Sequence, residues 1–333
     1  MERRRRSDGP GPEDYQELID QSVSTFRGLN RQTQIAVVVL LILGAILAAI
    51  LYFRWQQQLS QNAVAGTPDM LLGNPSNAAP DPAQRDNYLM IKPYYVLAYN
   101  NTNGTPNWVS WRVTIDDLGS APRKQTFDPD ATLPPTFKVV TTREYAGSGF
   151  DRGHMCPHSD RGGNEQMSFA TFVMTNIIPQ APNVNQKAWA QLENYCRGLV
   201  RQHNHLYITS GPIGGGGRGS KGFREVIGGG DVLVPAECFK VVVVVPEDGG
   251  SDDLSKINAG TRVITVDMPN DQDEVGEVWD KYRCTPAAIE TKTGFHFFGN
   301  VRPDVAGILR QKIDTDPIAP PRPLSHGPGR TAE

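Results

Sequence analysis

The longest apolar segment of the chain covers residues 35–53 and contains no charged side chain. About 19 residues of helix, with a rise of about 1.5 Å each, span roughly 28 Å, which is enough to cross the hydrocarbon core of a bilayer. Tyr52, Phe53 and Trp55 stand at the end of this run, where membrane proteins often carry interfacial aromatic residues. The pattern predicts one transmembrane helix near the amino terminus.

The basic residues around this segment predict its orientation. Six arginines precede it and Arg54 follows it closely. Because cytoplasmic flanks carry an excess of Lys and Arg, residues 1–34 are expected to form a cytoplasmic basic arm, with the rest of the chain exported. The bacterial periplasm is the favoured compartment, and the mitochondrial intermembrane space is the alternative. Cleavage near residues 63–65, Ala-Val-Ala, is a further outcome that the sequence leaves open.

Composition divides the rest of the chain into three parts. Residues 54–86 are rich in Gln, Asn, Ala, Pro and Gly without periodicity, which predicts a flexible linker. A globular domain is expected at residues 87–313. Residues 314–333 are rich in proline and lack an apolar pattern, so a disordered tail is expected. Within the basic arm, residues 14–26 fit a short helix.

Inside the expected domain, several short segments have the pattern of strands. Residues 94–99 and 108–114 predict a hairpin around a turn rich in Asn and Gly. Residues 206–210 predict a short buried strand that ends before Gly211. Residues 239–245, which include five consecutive valines, predict a core strand.

Residues 185–199 have a helical period instead. One stripe of this segment is apolar and predicts an amphipathic helix packed on a core: Ala188, Trp189, Leu192, Cys196 and Leu199. Asn185 lies at the head of the stripe. Its amide oxygen is suited to a hard cation such as Mg²⁺, and its alternative role is that of a helix cap.

The tetrapeptide Asp151-Arg152-Gly153-His154 carries the clearest candidate chemistry. Histidine titrates near neutral pH, so His154 is a candidate general base. Asp151 could orient the imidazole or brace the backbone, and Arg152 could meet a phosphate. A buried structural histidine is the alternative. The formal net charge of −3 does not exclude a nucleic-acid substrate, because a balanced total can hide a basic groove.

Cysteines leave two questions open. The chain has four of them, and an exported domain permits two disulfides or free thiols: Cys156, Cys196, Cys238 and Cys284. His154, Cys156 and His158 could also serve as zinc ligands. That alternative lacks a clear fourth ligand motif.

Three ordered blocks together resemble the DNA/RNA non-specific endonucleases of the ββα-metal, or His-Me finger, type. Residues 151–154 match the signature of that family, and residues 175–180 and 185–193 match its second and third blocks. The similarity extends more weakly over residues 94–298. The resemblance implies an α+β fold with a central antiparallel sheet flanked by helices, here preceded by one transmembrane helix.

The same resemblance implies a metal-dependent nuclease that hydrolyses DNA and RNA phosphodiester bonds. One Mg²⁺, for which Mn²⁺ can substitute, would be held directly by Asn185 and otherwise by waters. His154 would act as the general base. The expected partners are DNA and RNA, recognised through the phosphate backbone, and a lipid bilayer around residues 35–53. A second copy of the chain is a further candidate partner.

Further site residues are implied by position within the family blocks. Arg123 is the best match to an arginine that binds the scissile phosphate, with Arg143 as the alternative, and Arg152 would add positive charge. Asn176 would support the site, or would be an ordinary turn residue. Glu193 would steady the waters of the metal.

Two readings remain as alternatives. The first is a catalytically inactive, membrane-anchored protein that keeps the nuclease fold as a nucleic-acid-binding module or scaffold. The second concerns residues 214–217 with Arg218, Lys221 and Arg224, a basic segment rich in glycine. This segment is either a flexible insertion or a loop that binds backbone phosphates.

Overall fold

A long helix dominates the first of the two units into which the chain divides, Met1–Gln57. The computed structural model describes residues 12–64, 66–248, 252–276 and 278–318. Within the first range, α1 (Pro12–Gly28) is followed by α2 (Arg31–Val64). The short helix expected in the arm is therefore confirmed, and it is longer than predicted.

The helix α2 includes one stretch, Arg31–Tyr52, that is long and apolar enough to cross a membrane. The side chains of this stretch are not buried within the structure. A signal sequence near an amino terminus has a similar composition. The helix continues beyond the apolar run to Val64.

The second unit, Gln58–Glu333, contains strands and short helices. In chain order the described strands are β1 (Tyr88–Ile91), β2 (Val96–Asn100), β3 (Thr105–Val113), β4 (Asp151–His154), β5 (Ile177–Gln180), β6 (Asn204–Ile213), β7 (Gly217–Gly219), β8 (Gly222–Arg224), β9 (Val226–Ile227), β10 (Val232–Leu233), β11 (Glu237–Pro246) and β12 (Arg262–Pro269). The helices are α3 (Glu165–Ala170), α4 (Ala190–Val200), α5 (Asp253–Lys256), α6 (Pro286–Thr293) and α7 (Pro303–Arg310).

Six of these strands form the central sheet, in the order β1-β2-β3-β6-β11-β12. Every neighbouring pair in it is antiparallel. The predicted hairpin is present as β2 and β3, and the valine-rich core strand is β11. The other strands pair as β4 with β5, β7 with β8, and β9 with β10.

Helices cover both faces of the sheet. Successive side chains of a strand point to opposite sides, so each strand can supply apolar residues to both packed faces. One face packs against α4 through apolar side chains that include Leu97, Val109, Ile208, Val242 and Leu192. The other face packs against α6 and α7, through Ala98, Trp108, Tyr207, Val241, Ile289 and Leu309 among others. The predicted α+β class with a central antiparallel sheet flanked by helices is confirmed.

The expected end of β6 was wrong. The strand continues through Gly211 and Pro212 to Ile213. Its pairing with β3 stops where Ser210 faces Val109, whereas its pairing with β11 continues to Ile213. Pro212 is tolerated because it lies beyond the paired part of β3, so no ladder hydrogen bond to that strand is lost.

Residues 66–86 are part of the folded domain, which corrects their assignment to a flexible linker. Met70 and Ala78 are buried in the cluster beneath α6 and α7. The Asp69 carboxylate accepts a hydrogen bond from the backbone N–H of Arg112 (2.9 Å) and lies 3.3 Å from the guanidinium of Arg161. Polar and small residues look like a spacer in sequence, but here distant parts of the chain satisfy their hydrogen bonds.

The start of the tail needs a similar correction. Asp314 is buried, and its carboxylate pairs with Arg262 (2.8 Å) and Arg283 (3.2 Å). Ile318 packs against the core on the α4 side of the sheet. The domain therefore includes residues beyond 313, and residues 319–333 lie outside the described residues.

Candidate active site

The strand β4 carries the tetrapeptide Asp151-Arg152-Gly153-His154 and pairs with β5, so that Asp151 faces Gln180. A Cβ atom on Gly153 would lie 2.2 Å from Oε1 of Gln180. No other residue fits there without moving Gln180. The glycine therefore allows the two strands to close beside His154.

His154 lies at the end of β4, and only 8% of its surface is exposed. Its ring packs edge-on against Phe172 (4.7 Å between centroids) and lies 5.2 Å from the ring of Phe127. Within the described part of the chain, Nε2 has no hydrogen-bond partner. Burial, Arg123 and His158 lower the pKa of His154 to about 3. The imidazole is therefore neutral at pH 7, and one of its ring nitrogens carries a free lone pair.

Asn176 holds the chain segment that follows His154. Its Oδ1 accepts from the backbone N–H of Cys156 (2.9 Å), and its Nδ2 donates to the carbonyls of Cys156 (2.8 Å) and Thr171 (2.9 Å). Asn176 is fully buried. These bonds match its alternative description as a residue that satisfies backbone groups, and they fix the backbone of Cys156, two residues after His154.

Asn185 is bound to the other end of β4. Its Nδ2 donates to Oδ2 of Asp151 (2.9 Å), which also accepts from Nε2 of Gln186 (2.8 Å). An ionised carboxylate only accepts hydrogen bonds, so it must face the amide nitrogen of Asn185. Oδ1 of Asn185 consequently points away from Asp151 and is the atom that a cation could bind.

The helix that carries Asn185 does not begin as predicted. Residues Val184–Trp189 form a π-helical turn, and α4 follows at Ala190. Asn185 lies inside this turn and makes its side-chain bond to Asp151, so it is not a helix cap. A π-helical turn inserts an extra residue and redirects side chains, and such turns are frequent at functional sites. The predicted apolar stripe is otherwise buried as expected.

Glu193 is paired with a lysine that the sequence reasoning missed. Its Oε1 lies 3.7 Å from Nζ of Lys240, which is 1% exposed. The ammonium lies 4.4 Å from the ring of Trp189 and 5.2 Å from that of Trp111. Burial raises the pKa of Glu193, and Lys240 with Arg197 opposes that rise. Because Lys240 stands inside the largely apolar strand β11, the sequence already indicated that its charge needs a buried partner.

A second buried ion pair adjoins the first. Arg197 donates to Oδ1 of Asp160 (2.7 Å), and Nε1 of Trp111 donates to Oδ2 (3.1 Å). Arg197 follows Glu193 by four residues, so both side chains lie on one face of α4. That spacing could have revealed Arg197 in the sequence, whereas nothing local indicates that Asp160 is its partner.

The two candidate phosphate-binding arginines flank the aromatic residues around His154. The guanidinium of Arg152 lies 4.9 Å from the ring of Phe127, and that of Arg123 lies 5.3 Å from the ring of Phe172. Both arginines are exposed. The alternative, Arg143, is also exposed and helps to lower the pKa of its neighbour Glu144. Positive charge thus lies on two sides of the histidine.

The zinc alternative has little structural support. Each of the four cysteines, all within the described residues, carries a free thiol. Among the described side chains, no group of three or more His, Cys, Asp or Glu residues is arranged to hold a metal ion. Burial raises the pKa of the Cys156 thiol far above its ordinary value, which disfavours the thiolate that zinc requires. A single amide oxygen with waters is a different donor set, and Asn185 fits it.

The fold and the site together define a ββα-type nuclease scaffold. It consists of the central sheet, the β4–β5 pair with its histidine, and the following helix with Asn185 and Glu193. The profile of the DNA/RNA non-specific endonuclease family matches residues 72–304, and the chain belongs to this family. It is a nuclease whose substrates are nucleic acids. The resemblance carried by the three sequence blocks is confirmed.

Individual relatives agree with this assignment. A nuclease of Nostoc sp. is 44% identical over 245 residues, which cover 74% of this chain and 85% of the relative. Human mitochondrial endonuclease G is 28% identical over 213 residues, covering 62% and 68% of the two chains. The mitochondrial nuclease EXOG of Danio rerio is 32% identical over 211 residues, covering 61% and 59%.

A solved structure supports the fold. A chain of the EndoG/EndoGI complex superimposes with a TM-score of 0.57 at 24% sequence identity. The match covers 71% of this chain and 92% of that chain. At this identity the likeness concerns the fold alone.

Proposed function

We propose that the chain hydrolyses DNA and RNA phosphodiester bonds in a Mg²⁺-dependent reaction with His154 as the general base. The observation that carries the proposal is that one short strand, β4, holds two reactive groups. At one end Asp151 orients the amide of Asn185, and at the other end the neutral imidazole of His154 has a buried Nε2 without a partner among the described residues.

His154 would take a proton from the attacking water. The resulting hydroxide would form a bond to phosphorus while the bond to the 3′ oxygen breaks. The products are a 5′ phosphate and a 3′ oxygen that takes a proton from water to become a hydroxyl. Burial, with Arg123 and His158, depresses the pKa of His154 and keeps it unprotonated before substrate binds. A bound phosphodiester places negative charge beside the ring, which raises the pKa and strengthens the base.

Arg123 and Arg152 would bind the phosphate and the charge that develops on it in the transition state. Both guanidiniums rest on aromatic rings that also contact His154. Stacking on a ring restricts a long side chain while its N–H groups stay available to a phosphate. The substrate would be recognised through its backbone, so little base specificity is expected.

Asn185 would hold Mg²⁺ through Oδ1, and Glu193 would accept hydrogen bonds from its waters; Mn²⁺ fits the same oxygen donors. When bound, the ion would supply a positive charge that neutralises the phosphate and the leaving oxygen. Asp151 would keep the amide of Asn185 in its required orientation. Asn176 would keep His154 in place through the backbone of Cys156.

The amino-terminal unit would anchor the enzyme. We assign residues 35–53 to a single membrane span, with the arm in the cytoplasm and the nuclease domain exported, in a bacterial periplasm rather than a mitochondrial intermembrane space. The apolar stretch of α2 and the excess of arginine before it support this topology. A reporter enzyme that is active only in the periplasm, fused after the domain, tests it. Self-association in lipid tests for a homodimer.

The reaction is tested with the full-length protein in detergent. Supercoiled plasmid and single-stranded RNA are incubated with Mg²⁺ or with a chelator. Cleavage of both substrates only with Mg²⁺, and a loss of at least about 100-fold in His154→Ala, are expected. His203→Asn, which changes an exposed histidine, is the matched control. Cleavage in chelator, or near-normal activity of His154→Ala, would contradict the proposal.

A further inference from the structure

The glycine-rich basic segment forms an ordered hairpin, β7 with β8, and is not a flexible insertion. Its glycines are required by close contacts. A Cβ atom on Gly219 would lie 2.5 Å from the carbonyl oxygen of Gly149, and one on Gly216 would lie 2.6 Å from the ring of Phe223. Gly216 and Gly222 also have positive φ angles of 93° and 94°, which favour glycine.

The hairpin is attached directly to the segment that enters β4. The backbone N–H of Ser220 donates to the carbonyl of Gly149 (2.9 Å), and Nζ of Lys221 donates to that of Gly147 (3.0 Å). Gly149 precedes Asp151 by two residues. The hairpin therefore lies beside the end of β4 that binds Asn185.

A second chain of hydrogen bonds leads from the hairpin towards Asn185 itself. The carbonyl of Arg218 accepts from the backbone N–H of Gln272 (2.8 Å). The side chain of Gln272 in turn accepts from the backbone N–H of Asn183 (3.0 Å). Asn183 stands two residues before Asn185. The hairpin thus contacts, directly or through Gln272, both chain segments that form this end of the site.

One large apolar side chain of the hairpin is exposed. Phe223 is 52% exposed, although its ring rests against the backbone of Gly216. The adjacent Arg224 is also exposed, and its guanidinium donates to the carbonyl of Phe223 (3.4 Å). Phe223 and Arg224 are successive residues of β8, so their side chains point to opposite faces of the hairpin. The exposed ring is the group on which an unpaired base can stack.

The charges on and around the hairpin favour a single-stranded substrate over a duplex. Arg218 lies 3.4 Å from Asp271 and 4.0 Å from Asp273, so its charge is offset. Glu225, which is exposed, follows Arg224. The hairpin consequently offers a rigid duplex little net positive charge, and the exposed ring is its principal binding group. Stacking on a ring requires a base that is not held in a duplex.

We propose that Phe223 forms a subsite for the base of an unpaired nucleotide that lies beyond the two nucleotides joined by the scissile phosphate, on the Asn185 side. Phe223 stacks on the base of this nucleotide. The subsite rests on the proposed active site, and it gives the enzyme a preference for single-stranded substrate beyond the cleavage position.

The test is the kinetics of Phe223→Ala in the full-length protein, with single-stranded oligonucleotides from a dinucleotide to about 12 nucleotides. The loss of stacking is expected to raise KM for the longest oligonucleotide by about 5- to 100-fold, with the main effect on KM rather than kcat. KM for the dinucleotide and for a blunt duplex should change much less. Phe223→Trp should restore binding, whereas Phe223→Leu should not.

Ile308→Ala, which shortens an exposed apolar residue of α7, is the matched control. Equal KM for wild type and Phe223→Ala on every length, or restoration by Phe223→Leu, would overturn the subsite. Fluorescence anisotropy of labelled oligonucleotides with His154→Ala, with and without Phe223→Ala, measures binding without cleavage. This readout separates failure of the subsite from failure of the proposed chemistry.

Discussion

Oδ2 of Asp151 accepts a hydrogen bond of 2.9 Å from Nδ2 of Asn185, across 34 positions of sequence. The bond joins the first residue of the histidine-bearing strand to the turn that precedes α4. It also determines which atom of the amide is available, because the carboxylate engages the nitrogen. Asp151 is thus a positioning residue for the amide of Asn185.

Asp151→Asn is expected to weaken the response to Mg²⁺. The new amide can donate as well as accept, so the orientation of Asn185 is no longer determined. The Mg²⁺ concentration for half-maximal activity should rise by about 10- to 100-fold, as for other residues that orient metal ligands. Saturating Mg²⁺ should restore much of kcat. Gln186→Ala, which removes the other donor to Asp151, should have a smaller effect; an unchanged Mg²⁺ response in Asp151→Asn would refute the positioning role.

Acid should destabilise the domain partly through His154. Its folded-state pKa of about 3 lies below the ordinary value of 6.5, so the unfolded chain takes up the proton first as pH falls. The contribution of the neutral histidine to stability is complete above about pH 6.5 and is lost progressively towards pH 3. The loss amounts to about 2 kcal/mol by pH 5.

Urea unfolding at pH 7 and pH 5 measures this loss. His154→Leu removes the titrating group, so its stability should fall less between the two values than that of the wild type. His203→Asn changes a histidine whose side chain is 83% exposed and should keep the wild-type difference. An identical loss of stability in wild type and His154→Leu would count against the buried neutral histidine.

Gly153→Ala should destabilise the β4–β5 pair. The added methyl group would lie 2.2 Å from Oε1 of Gln180, which is itself buried. A loss of about 1 to 3 kcal/mol is expected from overpacking of this kind. Gly198→Ala is the control: it lies within α4, where its new Cβ would meet no atom within 4 Å other than those of its chain neighbours and helix backbone, and it should stabilise by up to about 1 kcal/mol. Equal effects of both substitutions would show that the contact is unimportant.

Lys240→Met should reveal the buried ion pair with Glu193. Removing one partner leaves a carboxylate in the core, and the expected loss is about 3 to 5 kcal/mol. The double variant Lys240→Met with Glu193→Gln removes both charges. It should be more stable than Lys240→Met alone, and denaturant unfolding of the four proteins measures the coupling. Purely additive effects would mean that the pair contributes nothing.

The sequence by itself was sufficient for features that depend on local pattern. An uninterrupted apolar run predicts the helix α2, because length and composition decide whether a helix can cross a bilayer. Alternation predicts β2, β3 and β11, and a period near 3.6 residues predicts α4. His154 and Asn185 could be predicted as site residues because each lies in a contiguous sequence block that resembles the family.

Only the tertiary structure decided which distant groups meet. Lys240 became a partner of Glu193 because α4 packs on the face of the sheet to which Lys240 points. The polar residues around Asp69 joined the domain because Arg112 and Arg161 supply their partners. The glycine-rich segment became an ordered hairpin through bonds to Gly149 and Gln272. Local sequence propensity cannot predict these contacts. Their free energy arises only when segments that are far apart in sequence come together and exclude water.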